Sequence, residues 1–244
     1  PRLHPFAAAT VGLKGESMAP LAELKEAGCV AVSNDGRPVE NNELFRRIME
    51  YAADLGMVVS DHCEDPWLAR GWLMNEGRMS GLLGVKGQPW PGEAMQVARD
   101  VMLAEYLGLP VHIAHVSSRQ TVDLIAWAKA RGVQVTAETC PHYLLLDDTA
   151  LEGYRIDAKV SPPLRSPEDR KALVEGLLDG TIDIINYVPA EKTLPLEPEK
   201  INRLLGTDIS KETMVDYLNR LEIPVDGMNI LVPTFRPDLR CMAD

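Results

Sequence analysis

Val111-His112-Ile113-Ala114, then a helix-period stretch carrying Leu124, Ile125 and Ala128, then Val133-Gln134-Val135-Thr136-Ala137: this passage decides the fold class. A short apolar run, an amphipathic segment long enough to cross back over a sheet, and a second apolar run read as strand, helix and parallel strand. The same order recurs on both sides of it. Upstream, Ser17 caps a helix with Leu21 and Leu24 on one face, Gly28 ends it, and Cys29-Val30-Ala31-Val32 follows as a strand. A helix carrying Leu44, Ile48, Tyr51 and Leu55 stops at Gly56 before the strand Met57-Val58-Val59-Ser60. A long connection from Glu64 to Pro91 leads to a helix ending near Gly108, and downstream Pro167 opens a helix through Leu173 and Leu177 before Ile182-Asp183-Ile184-Ile185. Continuous apolar strands separated by helices predict a parallel sheet covered on both faces, as an α/β barrel or a doubly wound sheet. No glycine-rich phosphate loop follows any strand, which favours the barrel.

Beyond Ile185 the texture changes. Pro189, Pro195 and Pro198 crowd a stretch that reads as a linker. A short helix ending at Leu205-Gly206 follows. A second helix has Ser210 as N-cap and Met214, Leu218 and Leu221 on one face, and the strand Asn229-Ile230-Leu231-Val232 comes after it. This predicts a small α+β module separate from the barrel, with the boundary between residues 187 and 188.

At 244 residues, 45% hydrophobic and 25% charged, the chain has the composition of a globular protein with a substantial core. Its net charge of −11 opposes nonspecific attraction to nucleic acid or an anionic membrane. The absence of a long apolar run or a leader pattern predicts a cytoplasmic protein with no membrane partner. Cys29, Cys63, Cys140 and Cys241 lack paired spacing, so neither a disulfide framework nor a zinc knuckle is indicated. A first residue that is Pro1 rather than Met suggests a piece of a longer sequence.

In a parallel barrel, chemistry gathers at the C-terminal ends of the strands. Three such ends carry ligand-type residues: Asp35 after the strand ending at Ser33, His62 after Ser60, and His115 after Ala114. Two imidazoles and a carboxylate converging from neighbouring strand ends suit zinc, which takes nitrogen and oxygen ligands. Cys63, adjacent to His62, points to the opposite face and reads as core. His112 reads as buried or behind the site, His142 as lining the pocket mouth, and Arg165 as an internal salt bridge at the start of a helix.

The wording of these strand ends is specific. Ser33-Asn34-Asp35-Gly36-Arg37-Pro38-Val39, Asp61-His62-Cys63-Glu64-Asp65, His112-Ile113-Ala114-His115-Val116-Ser117-Ser118, Glu138-Thr139-Cys140-Pro141-His142-Tyr143-Leu144 and Ser161-Pro162-Pro163-Leu164-Arg165 resemble, in order and spacing, the bacterial type I dihydroorotases over about residues 10–185. The resemblance implies an amidohydrolase barrel of the TIM type, incomplete in this chain and spanning strands 3 to 8 of the family fold. It implies that His62 and His115 bind one of two zinc ions, that Asp35 bridges the metals, and that Ser161 and His142 contact substrate. The implied reaction is reversible hydrolysis of the cyclic amide of dihydroorotate to carbamoyl aspartate, in pyrimidine biosynthesis, with a metal-activated hydroxide as nucleophile.

Several parts of that pattern are not found. The family's opening strand ends in a His-x-His-x-Arg motif, whereas His4 has no partner two residues away. The family aspartate that serves as general base falls at Val188, and a valine cannot shuttle a proton. Glu191, displaced by three residues, is no substitute. The expectation is therefore at most one zinc ion and a catalytically incomplete chain.

The C-terminal stretch, Pro198-Glu199-Lys200-Ile201-Asn202-Arg203-Leu204-Leu205-Gly206-Thr207-Asp208-Ile209-Ser210 with Val232-Pro233-Thr234-Phe235-Arg236-Pro237-Asp238-Leu239, resembles an accessory domain of the phenylalanyl-tRNA synthetase β chain. That resemblance implies a fusion or composite chain. The alternatives are an active amidohydrolase completed by another chain, and a noncatalytic scaffold partnering aspartate carbamoyltransferase. Exposed edges of an incomplete sheet predict self-association.

Overall fold

The computed structural model describes residues 4–182 and 192–232. The chain divides into two units, Pro1–Ile184 and Ile185–Asp244.

The first unit runs β1 (Phe6–Ala8), α1 (Leu21–Glu26), β2 (Ala31–Ser33), α2 (Asn42–Asp54), β3 (Val58–Asp61), β4 (Met74–Asn75), α3 (Arg78–Leu83), β5 (Gly87–Gln88), α4 (Pro91–Leu107), β6 (Val111–Ile113), α5 (Arg119–Ala130), β7 (Val135–Ala137), α6 (Pro141–Leu145) and α7 (Pro167–Leu178). Strands β1, β2, β3, β6 and β7 form one parallel sheet in that spatial order. The register sorts the side chains into rows, because successive residues of a strand point to opposite faces. Val32, Val59, Val111 and Val135 align across the sheet, and all four are buried against the helices. The alternate row is Ser33, Ser60, His112 and Thr136. The helix-side layer is completed by Phe45, Ile48 and Met49 of α2, Val97 and Val101 of α4, Ile125 of α5 and Leu173 of α7. Each such side chain contributes about 1.5–3 kcal/mol on full burial.

Helix α4 ends on Gly108 in the left-handed conformation, with φ 67°, a C-cap that L side chains rarely adopt. Gly176 sits inside α7, where glycine costs about 1 kcal/mol relative to alanine. A Cβ there would lie 2.7 Å from Val122 Cγ1 of α5, so glycine permits the close approach of the two helices.

Several sequence expectations are corrected here. Strand β1 precedes the first expected βα unit. Its Phe6-Ala7-Ala8 run is too short to signal a strand, and pairing with Ala31, Val32 and Ser33 is what makes it one. Ser17 does not cap α1, which begins at Leu21 behind Pro20 with no side-chain cap. On α2 the buried residues are Phe45, Ile48, Met49 and Ala52, while Tyr51 is exposed. The connection from Glu64 to Pro91 is not bare loop: β4 and β5 pair in parallel within it, around α3. The expected final strand lies outside the described residues beyond Ile182, which is fully buried.

The second unit contains β8 (Lys192–Pro195), α8 (Pro198–Leu205), α9 (Lys211–Arg220), β9 (Val225–Asp226) and β10 (Asn229–Val232), with an antiparallel sheet in the order β8-β10-β9. Ser210 Oγ accepts from Thr213 N, as an N-cap should. Asn202 shapes the turn between the helices, its Nδ2 donating to Ile209 O (2.8 Å) and its Oδ1 accepting from Ile209 N (2.9 Å). Pro195, expected in a linker, ends an edge strand opposite Asn229, a position where its missing N–H costs the sheet nothing. Leu196, Met214 and Ile223 are buried, whereas Leu221, expected on the apolar face of α9, is exposed. Among the described residues no helix is long and apolar enough to cross a membrane.

Candidate metal centre

The polar row of the sheet continues past the strand ends into a cluster. Asp35 lies two residues beyond Ser33 and His62 two beyond Ser60, so strand alternation carries both to the same face. His115 lies three beyond His112, and alternation alone would send it to the other face. Its backbone has φ 37°, in the left-handed region that is uncommon for residues other than glycine, and this turns the chain at that point.

Asp35 is presented by a turn that Asn34 holds from beneath. Asn34 is buried, its Oδ1 accepts from Thr10 N (3.2 Å) and Thr10 Oγ1 (2.8 Å), and its Nδ2 donates to Arg37 O. The Asp35 side chain is 70% exposed while that of His62 is 4% exposed, so the cluster opens on the carboxylate side. His62 Nδ1 stands 2.9 Å from His115 Nε2, and Asp35 Oδ1 stands 3.2 Å from each of these nitrogens. Ligand atoms on a zinc tetrahedron with bonds of ~2.0–2.1 Å are separated by about 3.3 Å. The three atoms therefore already have the spacing of one face of such a tetrahedron, and the donor set fits a zinc-like cation. Burial disfavours the His62 imidazolium, but Glu64, Asp35 and Asp61 outweigh it and hold the His62 pKa above its usual value. That excess of negative charge equally favours a bound cation.

A second group of ligand-type atoms lies on the other side of the β3 end. Asp61, Cys63 and Asp100 are all buried and within 4.8 Å of one another. Here the cation is already supplied. Arg99 donates to Asp61 Oδ2 (2.8 Å), Asp100 Oδ1 (2.7 Å) and Val39 O (2.6 Å), and stacks 4.0 Å over the Phe45 ring. Burial and then Asp100 push the Asp61 pKa well above its usual value, against the pull of Arg99; burial likewise raises Asp100. Cys63, read from the sequence as core, is buried with Sγ 3.3 Å from Asp100 Oδ2, and burial raises its thiol pKa well above the usual value.

The remaining sequence-derived candidates do not join the trio. His112 is half-buried on the polar row, with Nδ1 2.8 Å from Thr136 Oγ1 and Nε2 3.5 Å from Glu138. His142 packs against the Tyr143 ring and its Nε2 is buried without a hydrogen-bond partner; burial lowers its pKa. Ser161 is exposed. Val188 lies outside the described residues. Arg165 is buried and internal, as expected, but its ion pair with Glu93 is long (3.8 Å) and its hydrogen bonds go to Ser117, Asn75 and Gln88. Burial lowers the Arg165 pKa and Glu93 opposes that shift. Glu93 also accepts from Ser117 N (3.2 Å) and Ser118 N (3.0 Å), tying down the loop that follows His115. Neither Glu93 nor Arg99 carries a sequence signal of its role: Glu93 lies 24 residues from Ser117 and Arg99 38 residues from Asp61, and only folding pairs them.

Residues 2–121 match a family model described as dihydro-orotase-like, and residues 194–244 match one described as tRNA synthetase B5 domain. A dihydroorotase of Geotalea daltonii is 49% identical over 231 residues, covering 94% of this chain and 54% of that protein. One of Citrifermentans bemidjiense is 55% identical over 213 residues, covering 85% of this chain and 50% of that protein. An alignment over 94% of the chain extends beyond the first unit into the stretch that the B5 model also matches. The chain spans about half the length of the curated relatives it matches. Among solved structures, an L-hydantoinase from Arthrobacter aurescens superposes with a TM-score of 0.58 at 25% identity, covering 74% of this chain and 41% of that one. The dihydroorotase resemblance read from the strand-end motifs therefore stands, and the parallel βα unit is a part of an amidohydrolase barrel.

Proposed function

We propose, from the premise that the first unit is a dihydroorotase-like part of an amidohydrolase barrel, that Asp35, His62 and His115 bind a single zinc ion and that the chain is a catalytically incomplete cyclic-amide hydrolase. The mutual spacing of the three ligand atoms, 2.9, 3.2 and 3.2 Å, carries this reading. A zinc ion held there supplies Lewis acidity toward a ring amide carbonyl and lowers the pKa of water. The chain's own contributions are separate from that. Asp35 would neutralise the cation from the open side, Asn34 and the left-handed backbone at His115 orient two of the three ligands, and the family resemblance assigns substrate contact to the exposed Ser161 and to His142. In the sequence Val188 stands where the family's proton-shuttling aspartate is expected, so turnover of dihydroorotate is expected to be very weak.

We assign residues 1–187 to the partial barrel, corresponding to strands 3 to 8 of the family fold, and 188–244 to a linker with a synthetase-like accessory module. The B5 match supports a fused chain, while the long Geotalea daltonii alignment supports continuity with dihydroorotases. Strand β1 has one neighbour in the described sheet, and the incomplete barrel read from the sequence favours self-association or a protein partner such as aspartate carbamoyltransferase in the cytoplasm. The deciding experiment is zinc analysis of the purified chain together with an assay on dihydroorotate and carbamoyl aspartate. One zinc per chain with negligible turnover supports the proposal. Robust turnover favours an active enzyme completed by another chain, and binding of aspartate carbamoyltransferase without zinc favours the scaffold.

A further inference from the structure

We propose that Glu93 is a positioning residue for the metal centre: it ties the turn after β6 to helix α4 and thereby keeps His115 against His62 and Asp35; this rests on the metal-site reading above. The turn leaves the sheet in steps. Ala114 N still donates to Asp61 O of β3 (3.1 Å), and Val116 N to Glu138 O just past β7 (2.8 Å). The next two N–H groups do not go to the sheet. Ser117 and Ser118 are fully buried, and buried backbone donors need partners. Both N–H groups donate to one atom, Glu93 Oε1, at 3.2 and 3.0 Å, and Ser118 Oγ donates to the same oxygen at 3.0 Å. Glu93 Oε2 accepts from Ser117 Oγ.

Glu93 lies in the first turn of α4 and is itself buried, so the turn is tied to a rigid element. The same helix reaches the loops of the other two ligands through Arg99, which donates to Val39 O beyond Asp35 and to Asp61 beside His62. Helix α4 is thus a common reference for all three ligand-bearing loops, and Glu93 is the arm that fixes His115 to it. His115 needs such an arm, because it lies beyond β6 at φ 37° and strand pairing does not place its ring. That ring meets the His62 ring edge-on, with centroids 4.7 Å apart. Reach matters here more than charge: three donors converge on one oxygen, and a glutamine carbonyl oxygen in that place can accept them too.

The test compares wild type with E93Q, E93D, V97A and H115A. E93Q keeps an acceptor at full reach and loses the charge, whereas E93D keeps the charge and draws the oxygens back by one methylene. V97A removes buried volume from the same helix while leaving Glu93 in place, and so reports what destabilisation alone does. Zinc affinity is measured by competition with a chromophoric chelator and stability by denaturant unfolding. The placement of His115 is read in the metal-free proteins from the NOE between the ring protons of His62 and His115. E93D should weaken that NOE and bind zinc about 10-fold more weakly or worse, the lower end of the range for outer partners of metal ligands. E93Q should keep the NOE and bind zinc close to wild type, although losing the charge beside Arg165 lowers its stability. V97A should lose stability but neither zinc affinity nor the NOE. If E93D does not fold, E93M, which keeps the side-chain length and offers no acceptor, takes its place with the same expected outcome. E93D binding zinc within twofold of wild type with the NOE unchanged overturns the proposal. So does E93Q losing as much as E93D, or V97A losing affinity in step with its stability. If wild type binds no zinc, or H115A binds it as well as wild type does, the metal-site reading fails. The metal-free NOE then decides this proposal alone: weakened in E93D and intact in E93Q and V97A it sustains the proposal, and unchanged in E93D it overturns it.

Discussion

Two clusters of ligand-type side chains flank the end of β3, and they differ in where their positive charge comes from. Asp61, Cys63 and Asp100 are sealed in the core, where Arg99 binds both carboxylates and is itself stacked on Phe45. Asp35, His62 and His115 have the same compactness but no arginine or lysine among their described contacts, and they open to solvent through Asp35. Alternation along one strand end separates them: Asp61 and Cys63 go to the helix side and His62 to the other. A cluster that carries its own guanidinium is a structural ion network. The second cluster, with a similar ligand set and no arginine or lysine among its described contacts, is the one we propose takes an external cation.

The largest expected effect breaks the first cluster. Arg99→Met keeps much of the side-chain volume but leaves the buried Asp61–Asp100 pair without its cation, and should cost about 3–5 kcal/mol in denaturant unfolding at a pH where the pair carries negative charge. A loss below about 1 kcal/mol would mean that Arg99 is not the compensating charge. The mirror experiment is on the second cluster. His62→Ala or His115→Ala should weaken zinc binding by more than about 100-fold, beyond the effect of an outer partner, with bound metal counted by mass spectrometry at no more than one per wild-type chain. Two tightly held ions, or no change in either variant, would show the ligand placement to be wrong.

A smaller effect distinguishes the clusters by pH. Asp61 and Asp100 have folded-state pKa values raised by burial, so above the ordinary carboxylate pKa the folded chain retains these protons to higher pH than the unfolded chain does. Stability from these groups is full below the ordinary carboxylate pKa and falls as pH rises toward the folded-state value. Asp61→Asn mimics the protonated form, so its stability relative to wild type should grow as pH rises above the ordinary carboxylate pKa. A pH-independent difference would refute that protonation state. The smallest effect concerns backbone strain. His115→Asn should raise the stability of the metal-free chain by up to about 1 kcal/mol, because asparagine tolerates the left-handed conformation better, while weakening zinc binding. A thermal melt showing destabilisation would mean that the His115 ring contributes more through packing than its backbone costs.

Apolar spacing determined the parallel βα character, the helices α2, α4, α5 and α7, and the capped helix α9, because each is a local pattern with a period and a stop signal. Strand-end position together with the quoted motifs also singled out Asp35, His62 and His115. Tertiary structure alone decided the rest. Strand β1 exists only through its pairing with β2, and Pro195 belongs to a strand only because β10 lies beside it. His115 reaches the site through a positive φ that strand alternation does not foresee. Arg99 meets Asp61 from 38 residues away, Glu93 meets Ser117 from 24, and Arg165 meets Gln88 from 77. Period and composition carry no record of such distances, since the free energy of a buried charge depends on which groups the folded chain brings within a few ångströms of it.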